Sequence, residues 1–244
     1  VPLWVSNLNI GILFIIAFAS IGTYGVIMAG WASNNKYSLM GGFRSAAQMI
    51  SYEIPMAFAV ITVVLLAGSL NLADIVNAQQ SKWFLVTPIG PVVFFLYFVA
   101  GLAETNRTPF DLPEAESEIV AGYCTEYSGI RFGLFFMAEY MNMLVVSLLT
   151  AILFLGGWLP VQILPATLGH IGIIAGINKM LAAVPPTFWL LGKTYFFIFV
   201  FAWIRGTLPR YRYDQLMSLS WKFLLPLSLV TMLSAAVMKQ TGWL

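Results

Sequence analysis

The chain has 244 residues, of which 60% are hydrophobic and 9% are charged, and its formal net charge is +2. Roughly a quarter of the residues of soluble domains are charged, so this composition excludes an ordinary soluble protein and indicates an integral membrane protein. The single cysteine, Cys124, excludes an internal disulfide and any cysteine-ligated metal or iron–sulfur site formed by this chain alone.

Six apolar segments are long enough to span about 30 Å of hydrocarbon. They are Leu8–Gly30, Ala46–Ser69, Val86–Ala103, Phe132–Gly157, Phe188–Ile204 and Leu219–Met238. All eight tryptophans lie within a few residues of a predicted helix end, which is typical of an interfacial aromatic belt. We therefore predict an all-α membrane protein with about six transmembrane helices in one domain over residues 1–244.

Lysine and arginine are unevenly divided between the alternate loops that join these helices. Eight lie in one set of loops: Lys36, Arg44, Arg107, Arg131, Arg205, Arg210, Arg212 and Lys222. Three lie in the other set: Lys82, Lys179 and Lys239. The positive-inside rule places the richer set on the cytoplasmic or matrix side. Both ends of the chain are then expected outside, and the loop after the third helix inside.

Three carboxylates are predicted within or at the end of membrane helices. Glu53 and Glu139 lie eight or nine residues beyond the inner arginines of their helices, which at about 1.5 Å per residue places both roughly 12–14 Å into the membrane. Glu104 ends the third helix at its inner mouth. Such acids predict a proton relay, with water or the side chains of Tyr52 and Tyr140 as bridges. The alternative is a set of neutral, hydrogen-bonded acids that fix helix packing.

An acid-rich segment, Glu104–Glu118, fills the loop after the third helix. With Glu126 it holds six of the ten acidic residues of the chain. Asp111 fits a helix N-cap and Pro113 fits the first turn, so we predict a short interfacial helix that runs to about Tyr123. Lipid does not solvate carboxylates, and the cluster therefore points to proton or polar-substrate chemistry at the membrane surface. A solvated, well-capped connector is the alternative.

A basic segment, Arg205–Asp214, is predicted on the same side as the acidic loop. Guanidinium groups form bidentate pairs with carboxylates, so Arg205 and Arg210 are expected partners of the loop acids. The alternative is an orientation signal that binds lipid phosphates.

Lys193 is predicted to lie inside a membrane helix. It lies five residues past Phe188, where that helix is predicted to begin. Its side chain is therefore expected to extend about 8 Å to the outer interface rather than to act as an internal proton relay.

Five stretches of the sequence carry a family resemblance. They are ASNNKY (32–37), AQMISYEI (47–54), AETNRTPFDLPEAESE (103–118), FFMAEYMN (135–142) and PRYRYDQLM (209–217). In this order they resemble the quinone-site membrane subunits of respiratory complex I, the proton-pumping NADH:quinone oxidoreductase. The resemblance covers essentially the whole chain.

The resemblance implies roles for individual residues. It assigns Glu53, Glu104 and Glu139 to an intramembrane proton relay. It assigns a further set to the coupling loop and the quinone chamber: Arg107, Phe110, Asp111, Glu114, Glu116, Glu118, Glu126, Arg205 and Arg210. No residue of this chain is expected to be directly catalytic or to bind a metal.

The resemblance also implies cofactors, partners and location. Quinone is the expected substrate, while NADH, FMN and the iron–sulfur clusters belong to partner subunits, so the chain alone should catalyse nothing. Expected partners are the soluble quinone-site subunits of the peripheral arm, the neighbouring small membrane subunits, the antiporter-like subunits and lipid, but no nucleic acid. The membrane is expected to be the bacterial or the mitochondrial inner membrane. The family has two further helices before the position of Val1.

Two other functions remain open from the sequence. The chain is also compatible with a homologous subunit of an ion-translocating hydrogenase or of a ferredoxin- or F420-linked complex, which co-purifying proteins would distinguish. An autonomous proton or cation transporter is the other possibility. It would usually show an internal repeat and paired broken helices, and the sequence shows neither.

Overall fold

The computed structural model describes residues 8–111, 122–160 and 184–242. Throughout these ranges the regular structure is helical. The helices are α1 (Gly11–Ala32), α2 (Lys36–Ala67), α3 (Leu72–Ala78), α4 (Gly90–Glu104), α5 (Ile130–Phe154), α6 (Pro186–Thr207) and α7 (Tyr213–Gln240). The segment Ser220–Leu224 of α7 is a π-helix.

Five helices (α1, α2, α5, α6 and α7) are long and apolar enough to cross a membrane. Helix α4 is apolar but has only 15 residues, which corresponds to a length of about 22 Å. Each of these six helices overlaps one of the six predicted segments, and the predicted all-α membrane fold is confirmed. We call the end of the bundle that carries Asp111 and Arg210 the inner end, after the predicted orientation.

Helix α2 begins at Lys36, ten residues before the predicted start at Ala46. Asn35 defines this start, because its side chain accepts a hydrogen bond from the Tyr37 amide at 3.0 Å. The first turns also pack closely on α1, since a Cβ built on Gly30 would lie only 3.3 Å from the Cα of Gly42. Capping and backbone contact therefore extend α2 beyond its apolar segment.

The core is arranged around α2, which contacts α1, α4 and α7, while α5 packs on α4 and α6. Polar contacts fix α2 against α7: the Tyr52 hydroxyl donates to the Leu216 carbonyl at 2.9 Å, and the Ser220 hydroxyl donates to the Ser51 carbonyl at 2.6 Å. At the outer end, Gly68 adopts the left-handed conformation that ends α2. The inner halves of α1, α2, α4 and α5 together surround the candidate site.

The predicted orientation can be tested by cysteine labelling. Gly129 and Gly206 lie at the inner end, directly before α5 and near the end of α6, whereas Gly169 falls outside the described residues. The test uses sealed right-side-out vesicles that contain the complex, with Cys124→Ser as background. An impermeant thiol reagent added outside these vesicles should label Gly169→Cys but neither Gly129→Cys nor Gly206→Cys. Labelling of Gly129→Cys from outside would overturn the orientation.

Candidate functional site

A cavity of about 410 Å³ lies between α1, α2, α4 and α5. All three carboxylates predicted in the membrane, Glu53, Glu104 and Glu139, line this cavity. They come from three different helices, and α1 contributes small residues, including Gly22 and Gly25, to the fourth wall. Helix packing thus brings together acids that are widely separated in the sequence.

Glu53 reaches the cavity from the middle of α2. Its carboxylate accepts a hydrogen bond from the Thr23 hydroxyl of α1 at 3.2 Å. Thr23 is itself buried, so this contact joins the two helices inside the membrane region. This hydrogen bond orients the carboxyl group, and the side chain of Ser20, also on α1, is a second hydrogen-bonding neighbour of Glu53.

Glu104 is the last residue of α4 and is only 4% exposed. Its Oε2 has no hydrogen-bond partner among the described residues, and the same holds for Oδ1 of Asn106, which also lines the cavity. Buried oxygens in native proteins usually have a partner. Both atoms are therefore suited to accept a hydrogen bond from water in the cavity, and the Glu104 carboxylate can also bind a proton.

Glu139 forms an ion pair with Arg107. The Nε atom of Arg107 lies 2.8 Å from Oε1 of Glu139, and the two side chains are 6% and 15% exposed. The guanidinium group also lies over the ring of Tyr140, 4.4 Å from its centroid. Because Arg107 follows α4 by three residues, this pair connects the start of the loop directly to the carboxylate of α5.

The two tyrosines that, with water, were expected as bridges between the carboxylates lie in different surroundings. The prediction for Tyr52 is wrong: its ring is fully buried, and its hydroxyl donates to Leu216 of α7. Adjacent helical residues point about 100° apart, so Tyr52 faces α7 when Glu53 faces α1. Tyr140 contacts the guanidinium of Arg107.

The loop after α4 is fastened to α2 by a residue that the sequence analysis did not identify. Gln48 is fully buried, and its amide donates to the carbonyls of Ala103 and Phe110 at 2.8 Å each. The Asn106 amide donates to the Ser45 hydroxyl at 3.2 Å. The sequence signal that could have identified Gln48 is a glutamine within an apolar helix, since intramembrane polar residues usually have specific partners.

Two of the predicted loop residues lie together at the inner end. Arg210 contacts Asp111 at 3.3 Å, which confirms the expected pairing of this arginine with an acid of the loop. Beside them the ring of Phe110 lies between Tyr52 and Tyr211, with centroid distances of 5.8 and 5.9 Å. The loop therefore reaches the basic segment through both charge and aromatic contacts.

The other loop residues lie apart or are not described. Arg205 is exposed and makes no ion pair with any described residue. Three of the loop acids fall outside the described residues, so its pairing with the loop stays a prediction. Glu126 is also exposed, and it accepts a hydrogen bond from Asn35 at 3.1 Å. Glu114, Glu116 and Glu118, with the predicted interfacial helix, fall outside the described residues.

Comparison with known proteins identifies the family. The family model of NADH dehydrogenase matches residues 1–236. An NADH-quinone oxidoreductase subunit from Rhodospirillum centenum is 52% identical over 241 residues, which cover 98% of this chain and 67% of the relative. The protein of the same name from Magnetococcus marinus is 52% identical over 224 residues, which cover 92% of this chain and 60% of the relative.

A relative with a different name agrees with these matches. NADH-ubiquinone oxidoreductase chain 1 of Chondrus crispus is 51% identical over 240 residues, with 98% of this chain and 69% of the relative covered. The chain thus spans between 60% and 69% of the length of these three relatives. The match along nearly the whole sequence shows that this chain belongs to the NADH dehydrogenase family, together with these subunits of NADH-quinone oxidoreductase.

Proposed function

We propose that the chain is a membrane subunit of a proton-translocating NADH:quinone oxidoreductase. In this role it forms part of the quinone chamber and transmits the charge change of quinone reduction to carboxylates in the membrane. The observation that carries the proposal is the cavity in which Glu53, Glu104 and Glu139 meet, with Glu139 ion-paired to an arginine of the loop. Family membership supplies the reaction class.

The electron path lies outside this chain. Partner subunits would hold the FMN and the iron–sulfur clusters and would supply electrons from NADH to quinone, whose full reduction takes up two electrons and two protons. The resulting change of charge acts on the acids of the loop, including Asp111 and the residues Glu114, Glu116 and Glu118. The part proposed for this chain is to sense charge and to move protons.

Arg107 is the proposed link between the loop and the relay. A displacement of the loop that draws Arg107 away from Glu139 leaves a carboxylate without its cation in a buried site. An unpaired buried charge is costly, so Glu139 then binds a proton, and it releases that proton when the arginine returns. The 2.8 Å contact between the two side chains makes this coupling direct.

The cavity provides a path between the three acids. A volume of about 410 Å³ has room for on the order of ten water molecules at about 30 Å³ each. Water chains carry protons between Glu104 at the inner mouth and the two acids deeper in the membrane. The loop side then faces the cytoplasm or the matrix, and the protein is a multi-pass component of an energy-transducing membrane.

The proposal is tested by removing two loop acids together. In assembled complex, Glu114→Gln combined with Glu116→Gln should lower quinone reductase activity and proton pumping several-fold. The reason is that the protonation of acids near each other in the sequence is coupled and changes with nearby charge. Electron transfer to a water-soluble artificial acceptor should stay intact, since that path remains in the partner subunits. The measurement is the ratio of the two activities, with proton uptake recorded in parallel.

Asp214→Asn is the matched control, because Asp214 is exposed on α7 at the same end of the bundle and belongs to neither the loop nor the cavity. Equal loss of both activities in the double variant would make the loop an assembly element. Loss of neither would leave the acids as a solvated connector.

A further inference from the structure

The outer end of α5 is held by a buried lysine of α6. Lys193 is 7% exposed, and its ammonium donates to the carbonyls of Leu155, Gly157 and Leu159 at 2.7, 2.9 and 2.7 Å. The side chain points toward the outer interface, as expected, but it binds the end of α5 instead of reaching solvent. All three N–H donors of the ammonium are used in this contact.

No carboxylate among the described residues pairs with Lys193. Its charge is offset instead by the carbonyls of the turn that directly follows α5 and by the negative end of the helix dipole. The ring of Trp83 adds a further contact, 5.3 Å from the ammonium. A neutral side chain of similar length cannot replace this combination of charge and three donors.

Gln79 also binds backbone groups at the outer end of α5. It is 1% exposed, its amide nitrogen donates to the Ile152 carbonyl at 2.9 Å, and its oxygen accepts from the Gly156 amide at 3.0 Å. Two buried polar side chains therefore satisfy the backbone at the outer end of α5. This end is the most specifically bonded part of the helix.

Packing along α5 is uneven. All buried residues of the helix lie between Val146 and Phe154, whereas none is buried between 130 and 145. Glu139 lies in this loosely packed inner half, where Phe135 makes ring contacts with the loop and Arg107 supplies the ion pair. Within this chain the outer end is thus the fixed point from which the inner half of α5 extends.

A small rotation about this fixed point moves Glu139 appreciably. Sixteen residues separate Glu139 from Leu155. At 1.5 Å per residue the distance is about 24 Å, so a tilt of about 5° shifts Glu139 by about 2 Å. A shift of that size separates the carboxylate from Arg107, whose Nε lies 2.8 Å away.

We infer that Lys193 is a positioning residue that acts from the outer end of α5 to set the place of Glu139 against Arg107. The expected effect of Lys193 on pumping rests on the proposed function, whereas its expected effect on the position of α5 does not. Lys193 neither carries the pumped proton nor touches quinone.

The first test is hydrogen–deuterium exchange of the assembled complex. Lys193→Met should raise amide exchange over residues 130–144 by about tenfold, because the inner half of α5 loses its anchor and opens locally more often. Lys82→Met is the matched control: it removes the same charge from an exposed position at the outer end. Lys193→Arg, which keeps the charge and several donors, should restore most of the protection.

The second test is a double-mutant cycle on pumping. If Lys193 acts through Glu139, Lys193→Met should lower quinone-linked pumping by about threefold or more in the native background, and by less than about twofold in a Glu139→Gln background. A role in general stability would give the same factor in both backgrounds. Normal pumping in Glu139→Gln alone would count against the proposed function, while the exchange measurement would still test the positioning.

Three outcomes would overturn the inference. One is increased exchange confined to residues 152–159, with 130–144 unchanged. Another is an equal loss of pumping in both backgrounds. The third is failure of assembly. If Lys193→Met does not assemble, Lys193→Gln is measured in its place. If neither neutral variant assembles, Lys193 is an assembly residue instead.

Discussion

Glu139→Gln should assemble into the complex and lose most of its quinone-linked proton pumping. The amide keeps the shape of the carboxyl group but cannot bind and release a proton. We expect turnover and pumping to fall together by at least about tenfold, a conservative figure beside the roughly 10²- to 10⁴-fold effect of a positioned proton-transfer group. The measurements are the rate of quinone reduction and the rate of proton uptake, each recorded on the same amount of assembled complex reconstituted into vesicles.

The ion pair complicates this variant and supplies its control. Glu139→Gln leaves the buried guanidinium of Arg107 without its anion, and breaking a buried pair costs about 3–5 kcal/mol. Combining it with Arg107→Gln removes the unpaired cation. If the unpaired charge destabilises the single variant, the pair should recover assembly and thermal stability. Pumping should stay low in both variants, because no group at position 139 can titrate.

A second acid extends the test. Glu53→Gln keeps the acceptor oxygen that meets the Thr23 hydroxyl, so the contact between α1 and α2 can persist. Asp74→Asn is the control, because Asp74 is exposed on α3 at the outer end and contacts only Ser69 in the described part of the chain. Normal pumping by an assembled Glu53→Gln and Glu139→Gln double variant would leave only a packing role for these acids.

The sequence predicted which acids lie in the membrane because the rise of a helix is constant. The depth of Glu53 and Glu139 follows from counting residues, and Glu104 ends α4 where the apolar segment ends. Apolar length also predicted the six segments. The start of α2 differed by ten residues, since the Asn35 cap and the contact of Gly30 with Gly42 leave no signal in hydropathy.

The partners of these acids were not predictable in the same way. Arg107 and Glu139 are 32 residues apart, and no periodic pattern tells which helices become neighbours. Tyr52 was offered as one bridge between the carboxylates, but its hydroxyl bonds to α7 while Glu53 bonds to α1, because neighbouring residues of a helix face different partners. The three carbonyls that bind Lys193 likewise belong to another helix end, and backbone acceptors carry no sequence signature.

Gly22→Leu should block the cavity without disturbing the bundle. Gly22 lies with Ala19 and Val26 on the face of α1 that lines the cavity, and a Cβ added there meets no atom within 4 Å. A leucine side chain in this space displaces on the order of three water molecules, at about 30 Å³ each. We therefore expect pumping to fall by about fivefold or more at normal assembly, because a shortened water chain no longer joins the acids.

A graded series and a matched control make the cavity test specific. Gly22→Ala should have a small effect and Gly22→Leu a large one, since the loss follows the volume filled. Gly133→Leu is the control: Gly133 lies on the inner half of α5, also has open space around its Cβ position, and does not line the cavity. Equal losses in Gly22→Leu and Gly133→Leu would show that the loss comes from adding a leucine to a helix surface and not from filling the cavity. Normal pumping by an assembled Gly22→Leu complex would show that protons do not pass through this cavity, because filling the cavity would then leave proton transfer unchanged.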